Sequence, residues 1–195
     1  MKIISIQVAQ ARKVQIGGRR VLTAIHKTAV AVPVPVQPLG LMGDEQADLS
    51  VHGGLDKAVY AYPSEHYSFW NQHRQQAGLA SIDEQLQPGA LGENLTLSGV
   101  LESMLWVGDV LAFANCKLRV EQPREPCFKF NAAMGFASAA TVMAQSGFCG
   151  FYLSVDQPGT LQAGEQFELL PGPRDRKSTR LNSSHPSISR MPSSA

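Results

Sequence analysis

Apolar and polar residues alternate from Lys2 to Val8, the two-residue period of a strand with one buried face. VQIGGRRVLTAI (residues 14–25) continues the alternation on both sides of Gly17-Gly18, a dipeptide that accepts the positive φ of a tight turn, and predicts a hairpin. In AVAVPVPVQP, prolines at alternate positions remove backbone donors and confine the segment to a sheet edge or an extended connection. AVYAY reads as a short buried strand. Pro63 and Ser64 then open a helix that places Tyr67, Phe69 and Trp70 on one face and stops at Gly78. GENLTLSG precedes a strand, MLWVGDVLAFANCKLRVEQP reads as two strands parted near Asn115, and a second helix is predicted from about Ser138 to Gln145. FYLSV and GTLQAGEQFELL close the pattern as strands.

LWVGDVLAF and LQAGEQFEL both place Gly and an acid between apolar runs, a turn into a barrel strand too short to count as a repeat. Many short strands with about two helices predict a mainly β fold, a partly closed β-barrel with a few helical insertions. The domain is expected to span residues 1–173. From Arg174 the chain, RDRKSTRLNSSHPSISRMPSSA, loses its aromatics and its periodicity and reads as a disordered tail, non-native in origin.

A length of 195 residues suffices to bury a sizeable core without disulfides. With 17% charged residues and a net charge of +1, no broad field argues for nucleic acid or an anionic membrane, so any anion must be gripped locally. Three cysteines without a CxxC pair exclude a disulfide framework and a zinc finger. The N-terminus lacks the layout of a signal peptide, and no apolar run approaches the roughly 20 residues of a membrane span. A cytoplasmic protein with reduced thiols is the expectation.

EQPREPCFKFN (residues 121–131) is the most informative segment. Arg124 and Lys129 bracket Cys127, while Pro123 and Pro126 stiffen the approach and keep it out of a helix. Neighbouring cations favour the thiolate, a soft metal ligand or sulfur nucleophile, and they favour that use over a small apolar filler. Cys116 and Cys149 lie in apolar strand-like text and read as filler.

In VHGGLDKAVYAYP, His52, Gly53 and Gly54 form a loop whose backbone can approach an anion, with Lys57 as a phosphate partner; a plain turn capped by His52 satisfies the same residues. In GALGENLTLSG, Asn94 offers a donor and an acceptor to a heterocycle edge and Glu93 can orient a cation, although a polar turn ahead of a strand accounts for the segment by itself. His66, Trp70 and His73 fit a helix face rather than a metal site. GxSxG, Walker, GxGxxG and HExxH motifs are all absent, which removes the usual support for hydrolase, nucleotide-triphosphate and Rossmann readings.

In this order, GDEQAD, VHGGLDKAVYAYP, ALGENLTLSG, VGDVLAF and QPREPCFKF resemble the motif series of the MOSC family, especially its stand-alone YiiM-type members. The likeness runs from about Leu39 to Phe151 and more loosely across residues 1–170. It implies a β-barrel-like fold and binding of the molybdenum cofactor, a phosphorylated pterin carrying molybdenum. Cys127 falls on the family's metal-ligating or sulfur-carrying cysteine. His52, Gly53, Gly54, Lys57, Glu93, Asn94, Arg124 and Lys129 become the candidate cofactor pocket. The resemblance further implies reduction of N-hydroxylated bases such as hydroxylaminopurine, with electrons from a flavoprotein donor; homodimerisation stays open. The pyridoxal-phosphate domain of molybdenum cofactor sulfurases has no counterpart, so that cofactor is not expected. The YiiM-type helical extension is replaced here by the Ser/Arg/Pro tail. Two further readings are a carrier holding a Cys127 persulfide and a β-barrel interaction domain with an incidental cysteine.

Overall fold

The computed structural model describes residues 1–47, 53–174 and 179–181. In chain order these form β1 (Lys2–Val8), β2 (Arg12–Ile16), β3 (Arg19–Thr23), β4 (Thr28–Ala29), β5 (Val34–Gln37), β6 (Gly40–Leu41), β7 (Val59–Pro63) and α1 (Tyr67–Gln76). They continue with β8 (Leu95–Ser98), β9 (Val110–Ala112), β10 (Lys117–Pro123), α2 (Phe128–Met134), α3 (Ala139–Ser146), β11 (Phe151–Gln157), β12 (Gly159–Leu161) and β13 (Glu168–Leu170). The protein is thus mainly β with few helices, as the alternation implies. Among the described residues no helix is long and apolar enough to cross a membrane.

The principal sheet runs β13-β9-β10-β11-β7-β8-β1-β4. Its pairs are antiparallel except β7 with β8, which are parallel and joined by the crossover that contains α1. β13 and β4 end the ladder without pairing with each other, so the sheet is open among the described residues and the expected closure is not found in the strand pairing. A short seam nevertheless brings the segment before β13 against β1: Ile3 N–H donates to Glu165 O (2.9 Å), Gly164 N–H donates to Ile3 O (2.8 Å), and Lys2 and Gln166 form a single bridge.

The hairpin β2–β3 stands apart as a two-stranded ribbon, and Gly17 and Gly18 take φ of 54° and 79°, the conformation anticipated for its turn. The proline-rich strand β5 differs from expectation, because it lies between β12 and β6 as the middle strand of a small sheet. Pro35 is accommodated because its carbonyl accepts Met42 N–H (2.9 Å). Its missing donor faces that same side, where the two-residue ladder to β6 has already ended.

Two apolar layers result. Ile3, Ile6, Leu95, Leu97, Leu111, Leu118, Val120 and Leu153 fill one face of the sheet. Tyr62, Trp70, Leu91, Phe130, Met134 and Met143 fill the other, under the helices. α1 starts one turn later than expected, since residues 64–66 form a 3-10 turn, while α3 lies within a residue of its expected span. The helix α2 was not anticipated. The prolines end at 126 and so do not interrupt it, and Phe130 and Met134 supply the i,i+4 apolar pair it buries. Of the segment expected to be an unstructured tail, residues 179–181 run beside Trp106: Val107 N–H donates to Thr179 O (3.0 Å), Leu181 N–H donates to Leu105 O (3.0 Å), and Leu181 is buried.

Candidate functional site

A cleft opens where five separated segments meet: residues 23–27 after β3, the 44–47 loop, the start of β7, the turn before β8 and the β10–α2 junction, with Tyr152 of β11 completing its wall. Its open volume, counting solvent at the mouth, is about 670 Å³. Lys57, Asn94, Arg124, Cys127 and Lys129 all line it, although the first and last lie on opposite sides of α1, β8, β9 and β10 in the chain.

Cys127 is half-buried and takes an extended conformation (φ −131°, ψ 177°) immediately before α2, whose Phe130 N–H donates to the Cys127 carbonyl (2.9 Å). The Arg124 side chain is buried: its Nη1 donates to Leu91 O (2.9 Å) and to the Tyr60 hydroxyl (3.3 Å), and its guanidinium lies 4.7 Å from the Tyr60 ring centre and 4.9 Å from that of Phe130. Burial opposes the Arg124 charge, but the facing Tyr60, Tyr152 and Cys127 outweigh it and raise the pKa, so the cation is permanent. Lys129 Nζ donates to Leu22 O (3.1 Å), which ties the first turn of α2, just past Cys127, to β3. Lys57 Nζ sits 5.8 Å from the Tyr152 ring centre.

Other assignments change. Asn94 reaches the cleft, but its amide is committed: Oδ1 accepts Tyr60 N–H (3.1 Å), and Nδ2 donates to Gln7 O (3.2 Å) and Asp44 Oδ2 (2.8 Å). It clamps β1, β7 and the 44–47 loop together. Glu93 does not line the cleft. Its fully buried carboxylate accepts from Gly89 N–H (2.8 Å), Leu91 N–H (3.1 Å), the Thr96 hydroxyl (2.9 Å) and the Tyr67 hydroxyl, and so organises the turn from within. Gly53 and Gly54 lie off the lining, and Gly54 N–H is taken by Gln46 Oε1 (2.7 Å). His52 lies outside the described residues. His66 packs elsewhere, bonded through Nε2 to Glu102 Oε2 (2.8 Å) and stacked on Phe148.

Lys27 and Asp44 were missed by the sequence reading. Lys27 Nζ meets Asp44 Oδ1 at 2.5 Å with side chains 7% and 9% exposed, and Asp44 Oδ1 also accepts Ala9 N–H (2.8 Å). Burial lowers the Lys27 pKa, against the charge and hydrogen bond of Asp44. Asp44 lies within GDEQAD, so its motif was visible; Lys27 carried no local signal. Tyr60 and Tyr152, also missed, form the aromatic wall, with ring centres 5.5 Å apart. The cleft therefore presents Arg124, Lys57 and Lys129, the Lys27–Asp44 pair, the Glu45 carboxylate, a thiol and an aromatic wall.

The chain matches the MOSC domain over residues 48–168 and belongs to that family, as a YiiM-type member. It is 38% identical over 149 residues to YiiM of Escherichia coli, covering 76% of this chain and 64% of that protein. It is 29% identical over 173 residues to a protein named Reductase from Gibberella moniliformis, covering 88% of this chain but 29% of that one. The crystal structure of YiiM from Geobacillus stearothermophilus superposes with a TM-score of 0.68 at 33% identity, covering 87% of this chain and 75% of that one.

Proposed function

We propose that the cleft binds the molybdenum cofactor and that the loaded protein reduces N-hydroxylated compounds of the hydroxylaminopurine type. The observation that carries this reading is that Cys127, Arg124, Lys57, Lys129 and Lys27 line a single cleft. Among the described residues no three His, Cys, Asp or Glu side chains gather to hold a metal. Cys127 suits a metal that brings its own chelating group, as a pterin dithiolene does, and takes the thiolate as an added soft ligand. When bound, the group supplies two-electron redox chemistry. Arg124, Lys57 and Lys129 would neutralise its anionic charge and the tyrosine wall would pack its planar body, while the Lys27–Asp44 pair lines the cleft wall.

The relative named a reductase supports placing the activity among oxidoreductases. We further read the seam between β1 and residues 164–167 as partial barrel closure, a flavoprotein as electron donor and the cytoplasm as compartment.

The test is Cys127→Ser, in which a hard, protonated hydroxyl replaces the thiolate with little change of shape. Turnover of hydroxylaminopurine or benzamidoxime with an artificial reductant is expected to vanish with the circular dichroism unchanged. Lys57→Ala is expected to lower molybdenum and pterin retention by about ten- to a hundredfold, the worth of one charge-assisted contact. Full metal content and full turnover in Cys127→Ser would overturn the reading.

A further inference from the structure

Glu102 and His66 are buried, at 2% and 7% exposure, and neither lines the cleft. Glu102 opens a short 3-10 turn between β8 and β9, and His66 closes the one that precedes α1. His66 Nε2 and Glu102 Oε2 lie 2.8 Å apart, while Glu102 Oε1 accepts the N–H of buried Gly150 at 2.7 Å. One oxygen of the carboxylate thus serves a side chain, and the other serves the backbone just ahead of β11.

That backbone leads to the cleft. The β10–β11 ladder ends with Pro123 opposite Phe151, and the next bond runs from Arg124 N–H to Gly150 O (3.3 Å). Cys149 O accepts the Tyr60 hydroxyl (2.8 Å), the same hydroxyl that receives Arg124 Nη1 (3.3 Å), and Phe148 O accepts the Tyr62 hydroxyl (2.9 Å). Gly150, with φ of 65°, is pressed against β7: a Cβ there would collide with Ala61 O and lie 2.8 Å from the rings of Tyr60 and Tyr62. A shift of Gly150 therefore disturbs Tyr60 and the backbone of Arg124 together. His66 stacks on Phe148, with ring centres 3.9 Å apart and planes 11° apart, and so holds the other end of residues 148–150.

We propose that Glu102 is a positioning residue for the cleft: by anchoring Gly150 N–H from outside, it sets where the 148–150 backbone holds Arg124 and the Tyr60 hydroxyl. The consequence for cofactor retention rests on the cofactor reading of the cleft, whereas the hold on Arg124 is independent of it. Reach rather than charge is the operative property. Glu102→Asp keeps the charge but draws the carboxylate back by one methylene, so that it cannot span His66 and Gly150 together. Glu102→Gln loses the charge, yet its amide oxygen still accepts Gly150 N–H and its NH2 donates to His66 Nε2.

Phenylglyoxal modification of the full-length protein, mapped by mass spectrometry, reads Arg124 against exposed Arg19 as internal reference. Arg124 is expected to react about tenfold faster in Glu102→Asp than in the wild type and to stay within about twofold of it in Glu102→Gln, the loss of one hydrogen bond to a charged group being worth about a factor of ten or more. Leu111→Ala, which empties a fully buried site in the opposite apolar layer, is expected to lower Tm without speeding Arg124. Molybdenum content after expression in cofactor-competent cells is expected to fall in Glu102→Asp and to recover in Glu102→Gln. Unchanged Arg124 reactivity in Glu102→Asp, acceleration in Glu102→Gln alone, or equal acceleration in Leu111→Ala overturns the positioning role. Faster reaction of Arg124 in Glu102→Asp, with no molybdenum retained even by the wild type, supports the positioning role and overturns the cofactor reading instead.

Discussion

Asp44→Ala removes one carboxylate that holds three partners: Lys27 Nζ at 2.5 Å, Ala9 N–H at 2.8 Å and Asn94 Nδ2 at 2.8 Å. The Lys27 ammonium is left in a wall where its side chain is 7% exposed, and the Asn94 clamp loses its hold on the loop. Breaking a buried pair from one side costs about 3–5 kcal/mol, and water admitted through the cleft places this case toward the lower end. For a chain of 195 residues that corresponds to a fall of about 6–20 °C in Tm. Much of the cost comes from the orphaned charge, so Asp44→Ala made in a Lys27→Met background is expected to cost less, by about 1 kcal/mol or more. Urea unfolding followed by circular dichroism on the four proteins of this cycle reads both quantities. An Asp44→Ala cost under about 1 kcal/mol, or an equal cost in both backgrounds, would refute the account of a charge held in the wall by its partner.

Burial lowers the Lys27 pKa from 10.5, so the unfolded chain takes up this proton more readily. Stability relative to Lys27→Met should therefore rise as pH climbs from the folded pKa toward 10.5, and a flat or falling difference counts against it. Burial, followed by the charge of Glu165 for Cys116 and of Glu102 for Cys149, pushes both thiols up to about 12, so alkylation at neutral pH with peptide mapping should label Cys127 first; early labelling of either of the others contradicts this. Trp70→Ala empties a fully buried site where Nε1 donates to the Tyr62 hydroxyl (2.6 Å) and the indole meets Phe130 edge-on, and should cost about 3–5 kcal/mol in denaturant unfolding. A loss under about 1 kcal/mol would show that the layer beneath the helices refills the gap.

The sequence by itself determined what depends on neighbours along the chain. The alternation of β1, the turn at Gly17-Gly18, the buried run of β7 and the cationic setting of Cys127 are periods and dipeptides, legible without knowing what packs against them. α2 escaped because seven residues carry too few turns to show a period beside two prolines. Tertiary structure decided where each polar side chain was spent. Glu93 and Asn94 are adjacent in one motif, yet the first is consumed by the turn beneath the cleft, while the second bridges β1, β7 and the loop that carries Asp44. The partnership of Lys27 with Asp44 exists only because β1 holds β4 on one edge, β8 on another, and Ala9 beside the Asp44 loop. Such pairings follow from register between strands far apart in the chain, and a one-residue slip sends every side chain to the opposite face, so no local pattern specifies them.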